Sequence, residues 1–350
     1  QVLKLNKYLS LLYNKCKKNC KYFFRYNKSM QMIEAVPNIS EARDKGNLTR
    51  ILGDVQAVLG NVRLLHVDSN ENANRTVLTL AGNPEQIVRV CFMLFKVCAQ
   101  YIDMRFHAGE HPRLGAVDVC PLVPISGITL EETAVFADSL ARRVAEELHI
   151  PVYLYEANAL TQGRRNLAFL RKGEYESLPE KLTNLPPDYG PHMFTETVAR
   201  SGASVIGARN FLIAFNMSLN TPNVLAAIEI AAKLREKDGG LPGVKAIGWY
   251  MEDYQCAQVS CNLTDFHKSN LQDVFETCKK EAALRNLQVT GSEIIGLVPQ
   301  EAILQAGKFY APKEKNENTL IAAAAEHLLL NKIRPFVASE RILEKCLLIH

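Results

Sequence analysis

What most constrains the fold of this chain is an order of hydrophobic patterns that runs through it twice. From Ile33 onward, "MIEAVPN" reads as a short strand and "EARDKGNLTRILGDVQAVL" as an amphipathic helix. "VRLLHVDS" and "RTVLTLAG" read as strands, their apolar residues alternating or continuous. "NPEQIVRVCFMLFKVCAQYID" follows as a long helix, with Asn83 as its cap and Pro84 at the first helical position. "GAVDVCPLVP" is the next strand, and the helix "LEETAVFADSLARRVAEELH" with the strand "PVYLYEA" extends the series. From Phe211 the order recurs: strand "FLIAFNMSL", helix "NVLAAIEIAAKLREK", strands "GVKAIGWYM" and "CAQVSCNLTDF", helix "LQDVFETCKKEAALR", strand "SEIIGLVP". Each pass is β-α-β-β-α-β, the split βαβ order of a ferredoxin-like unit. The fold class expected is therefore α/β (α+β), with two subdomains that each pack helices on one face of a mixed sheet. The expected division is residues 31–209 and 210–350, with "TLIAAAAEHLLLNKI" docking as a C-terminal cap.

Length and composition agree with that plan. The 350 residues suffice for two domains, and 47% apolar with 22% charged residues is the usual mix of a soluble globular protein. No apolar stretch approaches the ~18 residues of a membrane span. Between the passes, residues 170–209 are rich in Pro and Gly and lack a period. Loops of that length tend to be functional or disordered, and a place between subdomains, where ligand clefts form, favours function.

The net charge of +4 is set by the N-terminus, where residues 1–29 hold seven Lys and Arg25 with no acid. Subtracting those eight cations leaves 33 basic against 37 acidic residues, a net of −4, so the fold itself lacks the footprint of a nucleic-acid surface. Residues 1–30 match neither a secretory signal nor a transit peptide. They are expected to be a dispensable basic extension without fixed structure, the other reading being a basic surface-binding arm. Nine cysteines, with no C-x-x-C pair and several in apolar patterns, point to buried thiols in a reducing compartment, the cytoplasm. N-x-[ST] matches, among them Asn38, Asn47, Asn74, Asn216 and Asn262, then carry no glycosylation.

Chemistry concentrates in "HAGEHPRLGAVDVCP", residues 107–121. His107 to His111 spells the H-x-x-E-H of an inverted zinc-peptidase motif, whose ligands need one helical face. Gly109 inside it and Pro112 after it oppose a helix, so no metal is expected. Two readings of His111 stay open on spacing alone: an acid/base histidine tuned by Glu110 and Arg113, or a surface turn that happens to carry a histidine. Asn38 and Ser40 in "VPNIS" either cap the following helix or serve the site, and spacing leaves both open. Asp68, Asn74 and Arg75 in "DSNENANRTV" would project from strand ends or merely form the turn. No Walker or dinucleotide-binding glycine loop occurs, and "GNPEQI" is only a weak anion signal.

In order along the chain, "VPNISE", "NRTV", "IDMRFHAGEHPRLGAVDVCPLVP", "PVYLYE", "GARNFLIAFNMSL", "KAIGWY" and "AQVSCNL" resemble the formiminotransferase family from about Met32 to about Val298. G-E-H-P-R is the most specific of these stretches. The resemblance implies two α/β subdomains with a folate site between them, a homodimer, and no length for a cyclodeaminase domain. It implies transfer of the formimino group of N-formimino-L-glutamate to the co-substrate tetrahydrofolate, a step of histidine degradation in one-carbon metabolism. The family's catalytic histidine falls on His111, and Asp68 matches a family aspartate suited to the cationic amidinium. The family's folate-contacting loop falls on residues 190–203, which puts Gly190, Pro191, Phe194, Gly202 and Ala203 in the site. Asn38, Asn74, Arg75 and Arg113 are carried over as contacts for substrate carboxylates or the pterin. Departures are Ala42 for a common Gly, Ala108 for Lys, Ser218 for Asn, and a longer loop after "PDYGP" without tryptophan. Folate-dependent formyl transfer, a folate-binding protein without turnover, and a zinc hydrolase are the alternatives.

Overall fold

The computed structural model describes residues 31–348; the basic extension lies outside the described residues. The first unit runs β1 (Met32–Ala35), β2 (Asn38–Ile39), α1 (Lys45–Val58), β3 (Arg63–Asn70), β4 (Arg75–Gly82), α2 (Pro84–Tyr101), β5 (Val117–Ser126), α3 (Leu130–Leu148) and β6 (Val152–Leu154). Three short helices follow, α4 (Leu167–Arg171), α5 (Leu178–Asn184) and α6 (Glu196–Ser201), then β7 (Ser204–Ala208). The second unit is β8 (Ile213–Leu219), α7 (Val224–Leu234), β9 (Val244–Met251), β10 (Cys256–Leu263), α8 (Leu271–Ala283) and β11 (Val289–Ile295). The chain ends in α9 (Gln300–Tyr310), α10 (Glu317–His327), α11 (Ala338–Arg341) and α12 (Leu343–Leu348). Among the described residues no helix is long and apolar enough to cross a membrane.

The expected mixed α/β architecture is present, with one sheet of seven strands and one of four. The first sheet is ordered β3–β4–(β1, β2)–β5–β7–β6, with β5, β7 and β6 parallel and the other pairs antiparallel. β1 and β2 form one line between β4 and β5, broken at Val36 and Pro37 because proline has no N–H to give the ladder. The break is bridged: Val36 N donates to Pro121 O at 3.0 Å and Leu78 N to Pro37 O at 3.0 Å. The second sheet is ordered β11–β8–β10–β9 and is antiparallel throughout.

Each sheet buries one face under helices. Ile33, Leu78, Leu80 and Leu122 pack against Ile51, Phe95 and Leu140 of α1, α2 and α3; Phe215, Met217 and Val259 pack against Ile230 and Phe275 of α7 and α8. Burial of each such side chain contributes ~1.5–3 kcal/mol. Asn83 caps α2 with its side chain on Glu85 N and Pro84 at the first helical position, as the sequence indicates. The helix expected from Glu41 begins only at Lys45. Glu41 Oε1 accepts from the N–H groups of Arg43 and Asp44, and Asn74 Oδ1 from those of Ala42 and Arg43, so this turn is built by side chains instead. Residues 170–209, expected to be an aperiodic loop, hold α5, α6 and β7, while α4 ends at their start.

On its other face the first sheet packs against α4 and α5 through Val119, Tyr153 and Val205, and against α12 nearer β1, β3 and β4. Leu343, Cys346 and Leu347 of α12 pack on Met32, Leu65 and Ala81, and Arg63 donates to the carbonyls of Cys346 and Leu347 at 2.7 Å each. The rest of the seam between the units is polar. Asn72 meets Asp253 at 3.4 Å, Arg341 meets His66 at 3.1 Å, and Arg334 lies between Asp68 and Glu293.

Candidate active site

The His111 turn lies beyond α2, which ends at Tyr101 with Ile102 in extended backbone, and Gly109 and Pro112 oppose helix within the turn itself. Asp103 caps one 3-10 turn, Met104–Phe106, and the backbone then runs irregularly to β5. A Cβ on Gly109 would lie 2.3 Å from Ala73 O, so only glycine lets this turn touch the loop after β3. Glu110 N donates to Asn72 O at 3.2 Å. Asn74, at φ 46°, ties three segments together: its Oδ1 accepts from Ala42 and Arg43, and its Nδ2 donates to Ala108 O at 3.1 Å. Gly109→Ala is expected to cost ~1–3 kcal/mol by overpacking and to lower turnover more than the melting shift accounts for. Thermal melts paired with steady-state rates check this; an unchanged protein would mean the loop yields freely.

His111 is half-buried, and its Nδ1 sits 2.9 Å from Pro112 O. A carbonyl only accepts, so Nδ1 carries the proton and Nε2 keeps its lone pair. Burial first, then the neighbouring Arg75 and Arg171, push its pKa down to about 3. The ring is therefore neutral at neutral pH, further from titration than an ordinary histidine near 6.5.

Arg75 and Arg171 are held by Asp118, which is fully buried. Arg75 Nη2 reaches Asp118 Oδ2 at 2.5 Å, and Arg171 bonds the same oxygen through Nη2 and Oδ1 through Nε at 3.3 Å. Leu114 N also donates to Oδ1. Burial alone would raise the Asp118 carboxyl; Arg171 and Arg75 outweigh it and hold it at about 2. Arg75 goes on to Asn38 Oδ1 at 3.1 Å and Pro112 O at 2.9 Å, so the carbonyl that orients His111 is itself fixed by a buried cation.

Arg113 is equally engaged. It bonds Glu174 at 2.8 Å and Glu176 at 2.5 and 2.8 Å, and its Nε donates to His107 Nδ1 at 3.2 Å. His107 must then carry its proton on Nε2, which donates to Asn74 O at 3.1 Å. Both ring nitrogens of His107 are occupied, so it could ligate a metal only by breaking this chain. No group of three metal-ligating side chains occurs among the described residues.

The structure thus brings His111, Asn38, Asn74, Arg75 and Arg113 into one cluster, but it gives several of them other work than the sequence suggests. Asn38 and Ser40 do not cap α1; Asp44 does, while Asn38 serves Arg75 and Ser40 Oγ bonds Gly115 O at 2.8 Å. Arg75 and Arg113 are buried in ion pairs that hold the turn. Gly202 and Ala203 run beside the turn: a Cβ on Gly202 would lie 2.2 Å from Leu114 O, and Ala203 N donates to that carbonyl at 3.0 Å. Phe194 packs on Tyr175 with ring centroids 6.3 Å apart, and Tyr175 N donates to Arg113 O. Gly190 and Pro191 sit further off, after Tyr189, which pairs with Val152 on β6. Asp68 lies opposite Val77 in the β3–β4 pair, so it shares a sheet face with Arg75 as its diagonal neighbour, ~7–8 Å away. One oxygen, Oδ2, is buried without a hydrogen-bond partner. Asp118, Arg171, Glu174 and Glu176 escaped the sequence reading. The available signal was Asp118 itself, a lone acid in the apolar strand "GAVDVCPLVP", which must have cationic partners if buried.

Fold and site together define a class: a two-unit α/β protein with a neutral histidine in a turn clamped by buried ion pairs near the polar seam. The matching family descriptions are "Formiminotransferase domain, N-terminal subdomain" over residues 32–209 and "Formiminotransferase domain" over residues 214–348. The chain belongs to the formiminotransferase family, as its motifs indicate. It is 44% identical over 326 residues to a formimidoyltransferase-cyclodeaminase of Mus musculus, covering 90% of this chain and 59% of that protein. It is 41% identical over 286 residues to a glutamate formimidoyltransferase of Streptococcus pyogenes serotype M1, covering 81% of this chain and 94% of that one. A glutamate formimidoyltransferase of Thermoplasma acidophilum is also 41% identical, with 80% and 92% covered. The chain thus spans about 59% of the length of the bifunctional relatives and nearly all of the shorter ones.

Proposed function

We propose that this chain transfers the formimino group of N-formimino-L-glutamate to N5 of tetrahydrofolate, giving 5-formiminotetrahydrofolate and L-glutamate. The observation that carries this reading is the neutral His111, with Nε2 unprotonated, in a chain of the formiminotransferase family. N5 attacks the amidine carbon and forms the new C–N bond. His111 Nε2 takes the N5 proton and returns it to the glutamate nitrogen as the old C–N bond breaks. Such acid/base help is typically worth about 10²–10⁴-fold, and orientation of the two substrates adds to it. A base of pKa about 3 is weaker than an ordinary imidazole. Carboxylates of the bound substrates beside Arg75 and Arg171 would offset those cations and raise it. Asp68, whose Oδ2 accepts no hydrogen bond and whose Oδ1 meets Arg334 only loosely at 3.6 Å, is assigned to the amidinium of the donor.

Tetrahydrofolate is the co-substrate, and no step requires a metal. Residues 190–203, from Gly190 and Pro191 through Phe194 to Gly202 and Ala203, are read as the folate-contacting loop beside the turn. The reading includes a cytoplasmic homodimer acting in histidine degradation, divided near residues 209–210. The strand orders β5–β1–β4–β3 and β11–β8–β10–β9 support two units on the ferredoxin-like plan. The experiment is a donor comparison, with tetrahydrofolate and either N-formimino-L-glutamate or N-formyl-L-glutamate followed spectrophotometrically. Preference for the formimino donor is expected. Equal or better use of the formyl donor overturns the assignment in favour of formyl transfer, and binding of tetrahydrofolate without turnover of either overturns catalysis itself.

A further inference from the structure

Arg75, Arg113 and Arg171 already spend hydrogen-bonding edges on the protein's own carboxylates, so a substrate carboxylate gains most from a further cation. The second unit supplies one. Arg334, on the segment between α10 and α11, reaches across the seam to within 3.6 Å of Asp68 Oδ1 through Nη1. Its other edge is fixed: Nε and Nη2 donate to Tyr254 Oη at 3.2 and 3.1 Å, and Nη2 lies 3.4 Å from Glu293. Nη1 makes no hydrogen bond among the described residues, and the side chain is 41% exposed. Facing it, Asp68 is 11% exposed; its Oδ2 is buried, accepts no hydrogen bond and lies 4.0 Å from His66 Nε2. Arg334 Nη1 and Asp68 Oδ1 therefore form a loose pair, too long for a hydrogen bond, whose facing atoms can each take a stronger partner.

That arrangement has a complement in the donor's chemistry. In an N-formimino α-amino acid, the cationic amidinium and the α-carboxylate hang on one carbon. A protein anion beside a protein cation matches them charge for charge, each substrate group bonding its opposite. Building on the formimino-transfer reading, we infer that Arg334 binds the α-carboxylate of the donor while Asp68 binds its amidinium, so the second unit selects an α-amino acid. Arg334 is a substrate-binding residue here; Tyr254 and Glu293 orient it. With Nε and Nη2 engaged, the contact expected is a charge-assisted one from the Nη1 N–H groups to the substrate carboxylate.

The test is calorimetric titration of N-formimino-L-glutamate into wild type, Arg334→Gln and Arg334→Lys, repeated with N-formimino-4-aminobutyrate, which lacks the α-carboxylate. Arg334→Gln is expected to weaken formiminoglutamate binding about 10- to 100-fold, the range for losing one charge-assisted contact. Arg334→Lys should recover part of the loss, and tetrahydrofolate affinity should stay within about threefold, that margin being well under the tenfold of one lost contact. The aminobutyrate analogue should bind wild type and Arg334→Gln alike. Equal weakening of both donors, or of tetrahydrofolate, overturns the inference and makes Arg334 a strut between the units. Unchanged donor binding in Arg334→Gln also overturns it. A wild type that shows the expected binding pattern without transferring the group defeats the catalytic reading alone and leaves the carboxylate site standing.

Discussion

His111→Ala is expected to lower turnover about 10²- to 10⁴-fold while tetrahydrofolate still binds. The loss follows from removing the one nitrogen in the cluster that can take and return a proton, since both nitrogens of His107 are tied to Arg113 and Asn74. Stability should change little: the ring is half-buried, and Pro112 O keeps its bond from Arg75 when the Nδ1 donor is gone. The pH profile sharpens the expectation. The base works only when neutral, so activity falls as pH drops through its pKa. With that pKa pushed down to about 3 in the free protein, the acid limb of kcat/KM due to His111 lies well below the ordinary 6.5. The corresponding limb of kcat, which reports the loaded site, should lie higher, because substrate carboxylates offset Arg75 and Arg171. Rates and folate titrations on both proteins check this. Parallel loss of turnover and folate affinity would make His111 a binding residue instead.

Asp118→Ala carries the largest expected effect on stability. It leaves two guanidinium groups, Arg75 at 7% and Arg171 at 13% exposure, without the carboxylate both of them contact. Breaking a buried pair from one side typically costs about 3–5 kcal/mol, a large part of the roughly 5–15 kcal/mol that holds a domain folded. At about 2–4 °C per kcal/mol for units of this size, the melting point of the first unit should fall on the order of 10 °C. The folded pKa of Asp118 is depressed to about 2, so its stabilisation is fully present above the unfolded value near 3.8 and is lost as pH falls through about 2. The deficit of the variant should therefore be constant between pH 5 and 8. Activity should fall too, because Arg75 holds the Pro112 carbonyl that orients His111. Circular-dichroism melts across that range decide it; a melting point within a degree or two of wild type would mean the arginines find other partners.

The elements legible in the sequence are those whose burial pattern has a period and whose ends are chemically marked. α2 is the clearest, with Asn83 and Pro84 at its start and one apolar stripe along it. β7, "SVIGA", was not legible: at five residues, buried throughout between two parallel neighbours, it shows neither alternation nor length. α1 starts late because Asn74, more than thirty residues away, takes the N–H groups of Ala42 and Arg43. The same long reach limited the site. His111 was found through the motif around it, and the glycine and proline that forbid a helix there were readable locally. Its charged setting was not, since Asp118 draws partners 43 and 53 residues away and Arg334 meets Asp68 from the other unit. Arg75 and Arg113 looked free for substrate because an ion pair closed by folding leaves no trace in spacing.

The most direct test of formimino transfer is to follow the group itself. N-formimino-L-glutamate carrying 15N in its terminal imino nitrogen would be incubated with tetrahydrofolate and the wild-type protein, and the quenched products weighed by mass spectrometry. The account predicts tetrahydrofolate that has gained one CHN-bearing formimino group with the label retained, and unlabelled glutamate released in equal amount. Unmodified tetrahydrofolate beside intact donor, or a folate product in which oxygen has replaced the labelled nitrogen before release, would contradict it.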